Sequence, residues 1–381
     1  MRSSILIYGL SGHGDLDSPT ALLLVDRKIA ALGAGAERVG INADRVIDGS
    51  GLAAAPGFIE LQLNGIDGFD FTSDPDSIGR VGDGPARYGV TAYVPTIVTS
   101  PRGTVDAALK AWESAPNAEG LPVPLGLHVE GPYLSPTRAG AHDPGLLRDP
   151  DPAEIAGWIA SGALRIVTLA PELPGAIAAI DQLVAAGVIV AIGHTDADAS
   201  TTARAIDAGA TYATHLFNAM SPMSHRAPGA PGALLRDDRV TLGTILDGHH
   251  LDPVMVELVA RLAPGRVSLV SDAIAALGLP DGTHPLGGAV VEVRDGAARL
   301  ADGTLAGSVA GLDACVRAFA SITGSARAAV DAVTTTPARL LGDGERGQLG
   351  PGARADVVLL DTELRVRTTI VGGVVAFEAP A

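Results

Sequence analysis

Eight short apolar runs punctuate the middle of the chain: FIELQLN, TAYVPTIV, LGLHVEG, RIVTLAP, VIVAIGH, ATYATHL, TLGTILDG and VSLVSDA. Several are separated by stretches of helical periodicity, among them AEIAGWIASGAL, AIAAIDQLVAAG, STTARAIDAG and PVMVELVARLA. Strands alternating with helices at this spacing predict a parallel sheet. An open doubly wound sheet and a closed barrel both satisfy the alternation. The count of eight, and the polar residues at the run ends, favour an α/β fold of the (β/α)8, TIM-type barrel class. Gln62, Asn64, Glu130, His194, His215, Asp247 and Asp272 all stand at or just past the C-terminal end of a run, the rim on which barrels assemble active sites. No G-x-G-x-x-G follows an early strand, so a dinucleotide fold has little support.

The chain ends follow another pattern. SILIYG, TALLLVD and KIAALGAG near the start, and ADVVLLD and RVRTTIVGGVVAF near the finish, are short strands with Gly-rich turns and no helices. They are expected to pair into one small β-sandwich domain of residues 1–54 and 343–381, leaving 55–342 as the barrel.

A net charge of −16 and a pI near 4.9 leave no basic footprint for nucleic acid or an acidic membrane. The apolar run Ile5 to Tyr8 is too short for a signal-peptide core, and no run is long enough to cross a bilayer. A single cysteine, Cys315 in LDACVRAFASI, excludes an intrachain disulfide and suits a reducing compartment. A cytoplasmic protein is the expectation, with Cys315, Trp112 and Trp158 as packing residues.

Chemistry enters at the run ends. Glu130 closes LGLHVEG, His194 closes VIVAIGH and His215 stands in ATHL. Two imidazoles and a carboxylate form a catalytic metal set that leaves one position open for water. Asp272 in VSDAIAALG suits a general base or, equally, a helix N-cap. His128 shares a strand face with Glu130 and either orients that carboxylate or fills the barrel. In so acidic a chain a phosphorylated substrate needs a local cationic spot. Arg226 with His225, His249 and His250 is the densest Arg/His grouping, and Arg226 alone suits a solvated loop charge as well.

Taken in order, HVEGPY, GAHDP, IGHTDA, THLFNAM with HRAPG, ILDGHH, VSDA and LAGS resemble the N-acetylglucosamine-6-phosphate deacetylases of the amidohydrolase superfamily. The resemblance runs from AAAPGFIE to IVGGVV. It implies hydrolysis of an acetamide on a phosphorylated amino sugar, with Glu130, His194 and His215 as metal ligands and Asp272 as acid/base. It also implies that His142, beside Ala141, contacts the scissile amide, that Asn218 and Ala219 hold the sugar phosphate, and that Leu305, Ala306 and Gly307 close over the sugar. Arg226 and His250 would bind phosphate, at least one of them from a neighbouring subunit, which implies a homodimer.

The first run sharpens the metal count. In the superfamily this strand usually ends in H-x-H, whereas here Gln62 and Asn64 occupy those positions. Neutral amides are weak donors beside imidazole. One divalent metal per subunit is therefore expected, zinc first, with iron, cobalt or manganese also accepted by such ligands. Superfamily members that bridge two metals with a carboxylated lysine are disfavoured, since the only lysines are Lys28 and Lys110. An N-acetylgalactosamine-6-phosphate deacetylase is the nearest alternative, and a sugar-phosphate-binding homologue without catalysis the more distant one.

Overall fold

A computed structural model of the chain describes residues 3–114 and 118–380. Eight parallel strands form its centre: β1 (Phe58–Leu63), β2 (Val90–Val98), β3 (Leu127–Glu130), β4 (Leu164–Leu169), β5 (Ile189–Ile192), β6 (Tyr212–Ala213), β7 (Thr241–Ile245) and β8 (Val267–Val270). Each pairs with its sequence neighbour. The ring closes through a parallel bridge, Leu63 to Ala273, reinforced by Asn64 N–H to Ala273 O at 2.8 Å and Asp272 N–H to Gln62 O at 3.0 Å. All eight apolar runs are thus barrel strands, in the order the pattern implied.

Helices cover the outside. Pro152–Ala160 and Pro253–Leu262 both begin at an Asp-Pro pair, where Asp151 and Asp252 accept from the backbone N–H groups of the first turn. Proline is tolerated there because its missing N–H is one the first turn leaves unpaired. Ala176–Ala185 and Ala199–Asp207 follow β4 and β5. No α-helix follows β1; a short hairpin, Gly65–Ile66 with Phe69–Asp70, and the 3₁₀ turns Pro75–Gly79 and Gly84–Tyr88 connect it to β2.

The barrel interior is layered. Ile59, Leu61, Val94, Ile166, Tyr212 and Val270 form its apolar floor, closed from below by Ala338 and Leu341. Above them His128 Nε2 meets Thr168 Oγ1 at 2.6 Å, which meets Thr214 Oγ1 at 2.7 Å. Of the two readings of His128, orienting Glu130 or filling the barrel, the contacts favour the second: the ring is fully buried, and its hydrogen bonds run to Thr96 and Thr168.

The terminal segments form two four-stranded sheets and, against the expectation of no helices, one short helix, Gly33–Val39, whose Ala36 packs on Leu6 and Leu23. One sheet contains Lys28–Leu32, Ala21–Val25, Ser4–Tyr8 and Arg45–Asp48, and the other Val374–Glu378, Val366–Val371, Val357–Leu360 and Ala53–Pro56. Ile5, Ile7, Leu22 and Leu24 of the first pack on Val357, Leu359 and Ile370 of the second, so the two ends of the chain share one core as a sandwich.

An element absent from the sequence reading follows β8. Gly282–Leu286, Ala289–Arg294, Ala297–Arg299 and Leu305–Ser308 make a four-stranded antiparallel sheet over the barrel mouth. Its signal, alternation broken by a DG turn in VVEVRDGAAR, was available.

Candidate active site

Glu130 ends β3, while His194 and His215 lie just past β5 and β6. Their ligand atoms all fall within 4.8 Å of one another. His215 Nε2 is 3.0 Å and His194 Nε2 3.3 Å from Glu130 Oε1, and the two Nε2 atoms are 3.1 Å apart. His194 Nδ1 lies 2.9 Å from Arg138 O. A carbonyl only accepts, so the proton sits on Nδ1 and the Nε2 lone pair faces the cluster. Burial alone would raise the Glu130 carboxyl, but the neighbouring His194 and His215 imidazoles hold it well below the usual range. Burial would lower the His215 imidazole, and Glu130 raises it. Two ring nitrogens converging on one ionised carboxylate, with no cationic side chain among them, is a donor set that fits a divalent ion.

Asp272 faces this cluster. Its Oδ1 accepts from Gln62 Nε2 at 3.0 Å and Asn64 Nδ2 at 2.7 Å, and Gln62 Nε2 also donates to Glu130 Oε2 at 3.1 Å. Carboxylates only accept, so both amides must turn their nitrogens toward the carboxylates. Burial and the nearby Glu130 charge raise the Asp272 carboxyl to about 6, against the opposing pull of His215 and Asn64. A carboxyl placed so can exchange a proton near neutral pH. The N-cap reading fails, since no helix begins after Asp272. Gly65, just beyond the amides, is required by close approach: a Cβ there would lie 2.2 Å from Phe69 O.

The backbone at the rim is strained. His194, His215, Phe217, Ala219 and Asp272 all have positive φ, between 27° and 75°. Non-glycine residues hold such angles at roughly 1–3 kcal/mol each, and typically at functional sites.

A cavity of about 890 Å³ opens above the cluster. His142 lines it, with Nδ1 accepting from Thr99 N–H at 3.3 Å and lying 2.8 Å from Thr99 Oγ1. A backbone N–H only donates, so the His142 proton is on Nε2. Burial, then the His194 ring 4.4 Å away, pushes this imidazole down to about 3 and keeps it neutral. Ala141, Asn218, Ala219, Leu305 and Gly307 also line the cavity. Ala306 does not; it is buried in the core of the inserted sheet with Leu286 and Val291.

The expected cationic grouping divides. His250 lines the cavity, its Nδ1 2.7 Å from Asp247 Oδ2. Burial would raise Asp247, but His250 holds it down at about 2. His225, Arg226 and His249 are exposed, and none lines the cavity of its own chain. The cation that does line it is Arg138, paired with Asp196 Oδ1 at 2.7 and 2.8 Å. Thr99 and Arg138 went unread because each lies on a connecting segment whose sequence carries no chemical signal of its own.

The chain belongs to the amidohydrolase family, which it matches over residues 54–376. Within that family, the likeness to N-acetylglucosamine-6-phosphate deacetylases seen in the motifs extends over most of the sequence. The human enzyme of that name is 41% identical over 360 residues, 89% of this chain and 87% of that protein. An Escherichia coli O157:H7 N-acetylgalactosamine-6-phosphate deacetylase is 41% identical over 84% of this chain and 87% of its own. A mutant N-acetyl-D-glucosamine-6-phosphate deacetylase from Mycobacterium smegmatis, solved in complex with N-acetyl-D-glucosamine-6-phosphate, superposes with a TM-score of 0.89. It is 37% identical, with 98% of this chain and 99% of that one covered.

Proposed function

We propose that this protein hydrolyses the acetamide of N-acetylglucosamine 6-phosphate to glucosamine 6-phosphate and acetate, in amino-sugar catabolism and cell-wall recycling. The observation that carries the reading is the Glu130, His194 and His215 trio with Asp272 held opposite it by Gln62 and Asn64. One divalent ion, zinc or else iron, cobalt or manganese, held by the trio would acidify a bound water and polarise the amide carbonyl. Asp272 takes a proton from the attacking water, through the oxygen the amides leave free, and returns it to the departing amine. His142 offers its Nε2–H to the carbonyl oxygen as negative charge develops there. One metal suits the site because neutral amides stand at positions 62 and 64, and an amide oxygen is a weak ligand for a borderline metal beside imidazole.

Ala141, Asn218, Ala219, Leu305 and Gly307 are assigned to the sugar, with Ala306 supporting the loop from beneath. His250 is assigned to the phosphate, and Arg226 to the phosphate of a neighbouring subunit in a homodimer. Two features support this pairing. Arg226 stands outside its own cavity, and Val254, Leu258 and Leu262, 62%, 45% and 60% exposed, leave an apolar stripe at i, i+4 and i+8 on the helix after His250. We place the enzyme in the cytoplasm, which suits its one cysteine, Cys315, kept as a buried thiol. Residues 1–54 with 343–381 are read as one domain, and 55–342 as the catalytic barrel.

The test is acetate release by metal-loaded protein from N-acetylglucosamine 6-phosphate, its galacto epimer and the unphosphorylated sugar. The gluco phosphate should give the highest kcat/KM, and Arg226→Ala should raise KM for the phosphorylated sugars alone. No acetate from any of the three removes the activity. A higher kcat/KM on the galacto epimer transfers the assignment to the activity named for the Escherichia coli relative.

A further inference from the structure

Glu60 lies on β1, two residues before Gln62, and is 1% exposed. Its side chain points away from the metal cluster into a small chamber outside the barrel wall, lined by Leu63, Ile66, Pro85, Tyr88 and Leu312. Among the described residues no cation pairs with it. An unpaired carboxylate in apolar surroundings is costly, and such groups persist where their hydrogen bonds are well made. Glu60 Oε1 accepts from Gln62 N–H at 3.0 Å, and Oε2 from Ser271 N–H at 2.9 Å.

The position of those two N–H groups is informative. β1 and β8 close the barrel, yet the seam between them has one bridge in place of a ladder. β1 also carries a register shift between Glu60 and Leu63. That irregularity reverses the side-chain alternation: Ile59 and Leu61 face the floor, and after it Gln62 and Asn64 face the mouth. An uninterrupted strand would put Gln62 opposite to Leu61 and away from Asp272. Glu60 therefore holds the residue that leaves the bulge on one strand, and the residue preceding Asp272 on the other.

We propose that Glu60 is a positioning residue for the deacetylation: its carboxylate clamps the backbones of Gln62 and Ser271 across the barrel seam, setting the amides of Gln62 and Asn64 against Asp272. It touches no substrate and acts through those three side chains. The kinetic part rests on the deacetylase reading, whereas the clamp itself does not.

The experiment compares wild type with Glu60→Gln in the metal-loaded full-length protein. The substituted amide has one oxygen and can accept from only one of the two N–H groups. Hydrogen–deuterium exchange at the Gln62 and Ser271 amides should rise, and kcat per bound metal should fall about tenfold with KM changed less than twofold. Unchanged exchange at both amides overturns the clamp. Raised exchange with unchanged kcat per bound metal overturns the positioning role, leaving a structural one. If wild type releases no acetate, the deacetylase reading fails while the exchange comparison still decides the clamp. Should Glu60→Gln not fold, Glu60→Asp serves. Its shorter carboxylate reaches the i+2 N–H but not Ser271, so exchange should rise at Ser271 alone and kcat should fall by a smaller factor. Wild-type exchange at Ser271 in that variant overturns the clamp.

Discussion

At the floor of the barrel Ile59, Leu61, Ile166 and Val270 fill the interior with hydrocarbon. At its mouth the same strands, or the residues just past them, bury Glu130, Asp272, His194 and His215. Packing at the floor is what ordinary core burial supplies, and its residues contribute about 1.5–3 kcal/mol each through lost apolar surface. The mouth opposes folding: two carboxyl groups are buried in one site, and five residues hold left-handed backbone angles. The floor thus stabilises the fold that the mouth strains, and substitutions should separate the two.

The sharpest test removes the metal. Chelator-treated protein should lose acetate release to background, and about one equivalent of a divalent ion per chain should restore it, measured by elemental analysis beside activity. A reproducible requirement for two would break the reading of Gln62 and Asn64. Next, Asp272→Asn should lower kcat by roughly 10³-fold, within the range a general acid/base supplies, while metal content stays at the wild-type level. Wild-type turnover in that variant would strip the mouth of its acid/base.

At the floor the same logic runs in reverse. Ile166→Ala should cost about 2–5 kcal/mol of stability through the cavity it leaves, read by urea denaturation, with kcat of the folded fraction within twofold of wild type. A large loss of kcat at unchanged stability would mean that floor and mouth are not separable.

The smallest effect lies at the seam joining the two. Burial raises the Glu60 carboxyl from 4.5 to about 7, against the hydrogen bonds of Ser271 and Gln62. The folded state therefore binds more protons than the unfolded one between these values. The contribution is fully present below pH 4.5 and is lost as pH rises through 7, by up to about 3 kcal/mol. The stability of wild type relative to Glu60→Gln should fall across that window. A pH-independent difference would show that Glu60 titrates normally.

How much of this was legible follows from what kind of information a strand carries. Alternation, helix periodicity and Asp-Pro starts are local, so the eight strands, their order and the β character of both ends could be read directly. The polar residues closing six of the eight runs could be read for the same reason. That Glu130, His194 and His215 share a rim follows from barrel geometry once eight strands are accepted. The sequence alone therefore determined the barrel, its reactive edge and the family resemblance.

Tertiary structure decided the rest. Gln62 and Asn64 donate to a carboxylate more than 200 positions away, and only closure of β1 on β8 brings them within reach. The bulge that turns Gln62 inward has no signature in FIELQLN, because a register shift is defined only against the strand that pairs with it. His128 turned to Thr168, and His250 entered the cavity while Arg226 stayed outside, because each outcome depends on which strand or loop lies opposite. Pattern along a chain fixes which face a residue takes; what stands across from that face is set by register and closure, which are properties of the whole ring.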